Sequence, residues 1–174
     1  MMTAIELVTD GRRHDSDRRY EMAKQWRVAL GCDEAAYEMK QQMIEHVRAL
    51  GHEVEDFGTH DAQPVLYPDI ALAVAEAIAA GRYDRGILMC GTGIGVAISA
   101  NKVQGIRAAQ AHDTYSAERA RKSNDAQIVT MGARVIGVEL AKAIAESFLG
   151  SEYEPGGRSQ PKVDRIEAYE REHR

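Results

Sequence analysis

A Rossmann-like, doubly wound α/β fold is what this sequence predicts: a parallel sheet of about five strands, flanking helices and a C-terminal helix. Two observations predict it. Short apolar runs that end in Gly or a small polar residue alternate with stretches of helical length, the signature of parallel strands joined by crossover helices. The chain has 174 residues, 44% hydrophobic and 28% charged, enough to bury one core and not two.

The regular pattern begins at Trp26. Strands are expected over Arg27–Gly31, Glu53–Phe57, Gly86–Met89, Ile106–Ala111 and Ala126–Met131. Helices are expected between them, over Ala35–Leu50, Asp69–Ala80, Gly95–Lys102 and Tyr115–Lys122, and then over Gly137–Phe148. The first helix sets Met39, Met43, Val47 and Leu50 on one stripe, and Gly51 stops it. After the breaker run Pro155, Gly156 and Gly157 a last helix is expected over Gln160–Glu172. Residues 1–25, with their charge-mixed run from Asp10 to Arg19, read as a flexible N-terminal arm, and residues 26–174 as a single domain.

Twenty-two Lys and Arg against 27 Asp and Glu give a formal charge of -5, which offers nothing to nucleic acid. A small anionic substrate needs a local basic site instead. No apolar run approaches a membrane span, and the start of the chain lacks the charged-then-apolar pattern of a secretory signal, so a cytoplasmic protein without membrane association is expected. Cys32 and Cys90 have no metal-site spacing, no metal site is expected, and at least one thiol is free for chemistry.

Open parallel sheets bind ligands beyond the carboxyl ends of their strands. Cys32, Asp33 and Glu34 follow the first strand, Cys90 to Gly95 the third, and His112 with Asp113 the fourth. Ser123, Asn124 and Asp125, just before the fifth, are expected at the same edge. Gly91, Gly93 and Gly95 open a helix, where glycines let backbone N–H groups turn toward a phosphate or a developing enediolate oxygen. A tight strand-to-helix turn needs the same glycines, and the spacing G-x-G-x-G differs from the dinucleotide fingerprint G-x-G-x-x-G. Cys90 stands where peptide dipoles favour a thiolate able to take a proton beside a carbonyl, although a buried strand-capping Cys fits the position equally. Cys32 lacks a glycine turn and reads as structural. Asp33, Tyr67, Asn101 and Asn124 suit sugar hydroxyls or ordinary turns and caps, and His112 suits a general acid or base or a partly buried strand-end His. Arg134, Arg158 and Lys162 form the late basic cluster, with Arg suited to bidentate oxygens.

These residues resemble the type B ribose-5-phosphate isomerase family, which also contains galactose-6-phosphate isomerase subunits. The resemblance runs from Arg27 almost to the end of the chain. It is carried by Gly31 to Asp33, Tyr67 to Asp69, Gly86 to Gly95, Ala100 to Val103, Gly105 to Ala108, Tyr115 to Ala117, Asn124 with Asp125, Gly132 to Gly137, and Gly156 to Arg158. It implies a cofactor-free 1,2 proton transfer through a cis-enediolate, with Cys90 as base and Thr92 moving protons between the oxygens. The amides of Gly91, Gly93, Ile94 and Gly95 would form the anion hole. Asp33, Tyr67, Asn101, Asn124 and His112 would hold substrate, and Arg134, Arg158 and Lys162 its phosphate. It also implies a homodimer or homotetramer with sites at a subunit boundary.

Two departures bear on the substrate. Many members have His where this chain has Glu34, and His where it has Ser123, the latter being credited with opening the sugar ring. A pentose 5-phosphate closes a furanose through its free O4, whereas a tetrose 4-phosphate has O4 blocked by phosphate and needs no ring opening. Ribose 5-phosphate is the leading expectation and D-erythrulose 4-phosphate the alternative. From other classes, a nucleotide-binding module and a non-catalytic paralogue remain, and the intact Cys90, Gly91 and Thr92 speak against the paralogue.

Overall fold

A computed structural model describes residues 24–173. The chain runs β1 (Arg27–Cys32), α1 (Tyr37–Ala49), β2 (Glu53–Asp56), α2 (Tyr67–Ala79), β3 (Arg85–Cys90), α3 (Ile94–Ala100), β4 (Ala108–Gln110), α4 (Thr114–Asn124), β5 (Ile128–Gly132), α5 (Val138–Leu149) and α6 (Gln160–His173). All strand pairs are parallel, in the order β2-β1-β3-β5-β4. The three inner strands are buried along almost their whole length, as strands covered on both faces must be.

Strand alternation divides the core into two layers. Val28, Leu30, Ile87, Met89, Val129 and Met131 pack with α1, α4 and α5. Ala29, Leu88, Cys90 and Ile128 pack with α2 and α3 on the other face. Each fully buried Leu or Ile in these layers contributes roughly 1.5–3 kcal/mol. The sheet is therefore doubly wound. The loop after β1 leaves toward one face and the loop after β3 toward the other, so a crevice opens at the carboxyl end between these neighbours, the usual ligand position of such sheets.

Several boundaries differ from the expected ones for local reasons. A 3-10 turn over Glu34–Ala36 precedes α1, because the Asp33 carboxylate accepts from the Ala35 amide and caps it. Leu50 closes α1 as its C-cap and is 38% exposed, so it leaves the apolar stripe. β4 begins at Ala108, since the Arg107 amide donates to the Gln127 side chain.

The largest difference is at α4, which continues through Asn124. Asp125 takes the left-handed conformation (φ 47°) and its N–H closes on the Arg121 carbonyl, while the Ala126 N–H closes on Ala120, a helix-ending pattern. Ser123 and Asn124 thus lie on the last helical turn, at the amino end of β5. The Asn124 carbonyl accepts from Arg107, just ahead of β4, at 2.9 Å. The expected common edge is corrected: a crossover helix entering β5 must end where β5 starts, opposite the carboxyl end that carries Cys90.

Of the arm expected over residues 1–25, residues 1–23 lie outside the described residues. Lys24 pairs with Glu152 at 3.2 Å and stands 4.3 Å from the centre of the Trp26 ring. Among the described residues no helix is long and apolar enough to cross a membrane.

Candidate active site

β3 must turn into α3 within three residues of Cys90. Gly93 permits this at φ +79°, and a Cβ there would stand 2.7 Å from the Met131 carbonyl carbon. On the facing strand a Cβ at Gly132 would stand 2.6 Å from Thr92 backbone. The turn and the end of β5 touch backbone to backbone, which only glycine allows. Within it the Gly93 N–H donates to Cys90 Sγ at 3.1 Å, and the Ile94 N–H to Thr92 Oγ1 at 3.2 Å. An amide aimed at the sulfur stabilises negative charge on it. Two of the four anion-hole amides are thus engaged by the two catalytic candidates themselves.

The loop after β1 meets this turn. The Asp33 N–H donates to the Met89 carbonyl at 3.2 Å, binding the loop to β3. Burial, and then the neighbouring Glu34, push the Asp33 carboxyl above its ordinary range, opposed by the amides of Ala35 and Ala36 and by the Arg134 guanidinium. Arg134 donates its backbone N–H to Gly91 at 3.0 Å and lays its side chain along that residue. Tyr67, the first residue of α2, sets its ring against Gly95. His112 follows β4, and its Nε2 accepts from the Gly132 N–H at 3.0 Å, which leaves the proton of the neutral ring on Nδ1. Cys90, Thr92, Asp33, Tyr67, His112 and Arg134 are therefore gathered at one edge.

Four expected residues are elsewhere. Asn101 caps the far end of α3, donating to the carbonyls of Ala97 (2.9 Å) and Ala108 (2.8 Å) and accepting from the Ala108 N–H (2.9 Å). Its side chain fastens α3 to β4 rather than facing the turn. Asn124 is at the opposite edge. Arg158 lines a cavity of about 300 Å³ with Arg119, Lys122, Ser123 and Ser159, and Lys162 lies beyond it in the first turn of α6. Cys32 is fully buried on the opposite face of the sheet from Cys90. Burial pushes its thiol up to about 12.

Residues 28–166 match the ribose/galactose isomerase family. The chain belongs to this family. It is 55% identical over 148 residues to a Listeria innocua protein named ribose-5-P isomerase B, covering 85% of this chain and 99% of that one. It is also 52% identical over 144 residues to a D-erythrulose-4-phosphate isomerase of Pectobacterium atrosepticum, covering 82% and 94%. The solved type B ribose 5-phosphate isomerase of Leishmania infantum superposes with a TM-score of 0.83 at 44% identity, over 87% of this chain and all of that one.

Other residues of this ribose/galactose isomerase chain also shape the site, and of these only Glu34 was singled out in the sequence. Lys40 is fully buried in α1, with its ammonium held by Asp56 and the Thr59 carbonyl. This clamp fixes the loop after β2, which exchanges backbone hydrogen bonds with Cys32 just ahead of Asp33. Glu34 accepts from the Val65 N–H at 3.3 Å and so steadies the segment that delivers Tyr67. Thr130 is the polar member of β5, and Gln110 ends β4. A polar residue in an apolar strand is the one signal that marks Thr130, whereas nothing local distinguishes Gln110.

Proposed function

We propose that this chain interconverts ribose 5-phosphate and ribulose 5-phosphate without a cofactor. The observation that carries the reading is Cys90 Sγ facing the Gly93 N–H at 3.1 Å, in the crevice shared with Asp33, Tyr67 and Arg134. The Cys90 thiolate removes the proton from C2 of the open-chain aldose, and the electron pair passes to the carbonyl to give a cis-enediolate. The Thr92 hydroxyl moves a proton between O1 and O2, and the thiol returns its proton to C1. One carbon is reduced as its neighbour is oxidised, so no external electron acceptor is needed. Turn amides stabilise the enediolate oxygens as charge develops, typically the largest single contribution to such a reaction.

The site reads as one completed by a second copy of the chain, in a homodimer or homotetramer. Asn124, Arg158 and Lys162 stand away from their own Cys90, while Leu66, Tyr67, Ile94 and Ile98 are 72%, 38%, 50% and 57% exposed around the crevice. Apolar groups of that size in one place suit a covered interface.

A second reading, D-erythrulose 4-phosphate, is favoured by Ser123. It lines the basic cavity with Arg158, it is the residue at which the family resemblance implies a ring-opening imidazole, and a relative so named is 52% identical. The deciding experiment compares kcat/KM for the two sugar phosphates, with Cys90→Ser as control. A tenfold preference for the tetrulose phosphate, about 1.4 kcal/mol of transition-state discrimination, would replace the pentose reading. Undiminished turnover by Cys90→Ser would remove the base from both.

A further inference from the structure

We infer that Gln110 is a positioning residue for Cys90, acting through the Thr92–Gly93 peptide unit; the inference rests on the isomerase reading of this turn. Gln110 Nε2 donates to the Thr92 carbonyl oxygen at 2.6 Å. A trans peptide unit is planar and its C=O and N–H point opposite ways. A hold on the oxygen therefore aims the Gly93 N–H the other way, where it meets Cys90 Sγ.

The hold matters because Gly93 has no Cβ to resist rotation of that unit. Turned over, the unit would present a carbonyl oxygen to the sulfur and oppose the thiolate. A hydrogen bond to the carbonyl also polarises the N–H on the other side of the same amide. The next peptide unit is held in the same manner. Thr130, fully buried, donates its hydroxyl to the Gly93 carbonyl at 2.8 Å, and the N–H of that unit reaches Thr92 Oγ1 at 3.2 Å.

Gln110 and Thr130 are register partners on β4 and β5, so their side chains leave the sheet on one face. Two adjacent strands thus hold two consecutive peptide units. One is aimed at the base and the other at the proton-shuttling hydroxyl. Gln110 is exposed and adds no core volume, so its substitution leaves the packing intact, as a change at Thr130 would not.

The test uses the full chain with Gln110→Met, which keeps the length and removes the donor, and Gln110→Lys, which restores a donor of similar reach. Turnover of ribose 5-phosphate is measured beside the rate at which iodoacetamide alkylates the thiol at one fixed pH, with Cys90→Ser subtracted. For Gln110→Met, kcat should fall roughly fivefold to tenfold with KM within about twofold, and the alkylation rate should fall severalfold. Gln110→Lys should recover most of both. Unaltered kcat and alkylation rate in Gln110→Met, or equal losses in the two variants, would overturn the inference. If wild-type protein turns over no sugar phosphate, the isomerase reading fails, and the alkylation comparison still decides the role of Gln110.

Discussion

A Cβ on Gly95 would stand 2.6 Å from the ring of Tyr67 and 2.8 Å from its hydroxyl. α3 is fitted to that ring with no room for a side chain, although Tyr67 begins its helix 28 residues earlier in the chain. The cheapest relief for Gly95→Ala is to swing the half-exposed ring away, because the clash is with the free end of a side chain. KM should then rise roughly threefold to tenfold, the worth of one substrate hydrogen bond, as it should in Tyr67→Phe. Since both changes remove the same contact, the double variant should be little worse than either single one. Full additivity in KM would show that Gly95 and Tyr67 act separately.

The two thiols should behave in opposite ways. Cys32 lies between strand and α1 with its ionisation pushed up to about 12 by burial, so it has no thiolate to offer at neutral pH. Cys32→Ala should cost stability through a small cavity and leave kcat within about twofold. Cys90→Ser should lower kcat by about 10²–10⁴, the usual worth of a positioned base, with substrate binding retained in calorimetry. A large kcat loss in Cys32→Ala alone, without a fall in melting temperature, would contradict this division.

Asp33 supplies a pH dependence whose sign follows from its surroundings. Burial and Glu34 make its charge costlier in the fold than in the unfolded chain, and its carboxyl is raised above 3.8. Below that value both states are protonated and the group is neutral to stability. As pH rises through it the unfolded chain ionises first, stability falls, and the deficit persists once the folded carboxyl has also ionised. Asp33→Asn keeps an N-capping side chain and removes the charge. Its melting temperature relative to wild type should therefore climb between about pH 3 and neutrality, while its KM worsens. A gap that shrinks over that range would reverse the assigned sign.

Sheet and crevice were legible because each depends on local pattern. The apolar run from Ile87 to Met89, closed by Cys90 and followed by glycines, can only be a covered strand feeding a tight turn. The edge on which Asn124 lies was not legible in the same way: it depends on α4 running two residues further, through a non-glycine residue in the left-handed conformation at Asp125. Asn101 is a related case. A short amide suits a sugar hydroxyl and a helix cap equally, and only three-dimensional proximity to Ala108 shows which bonds it makes. Gln110 and Lys40 were invisible because their partners, Thr92 and the Asp56 to Thr59 loop, are fixed by strand order rather than by spacing.

Asn101 can be assigned by one variant. Asn101→Ala removes two donated bonds and one accepted bond to backbone, leaving the start of β4 without its tie to α3. Stability should drop by about 1–3 kcal/mol, read as an earlier denaturant midpoint, with KM near that of wild type. A raised KM at unchanged stability would return Asn101 to the substrate.

The separation of Arg158 from Cys90 makes a sharper demand on the assembly. If each site takes Cys90 from one copy and Arg158 from another, Cys90→Ser and Arg158→Ala each disable every site in a pure preparation. In a mixed dimer of the two variants, one site collects both defects and the other collects neither. Random mixing of equal amounts makes half of all dimers mixed, so about a quarter of wild-type activity should reappear. Unfolding and refolding the two inactive proteins together, then assaying against each refolded alone, reads this directly. Recovery near that level requires a site shared between copies, because sites contained within one chain give none at any mixing ratio.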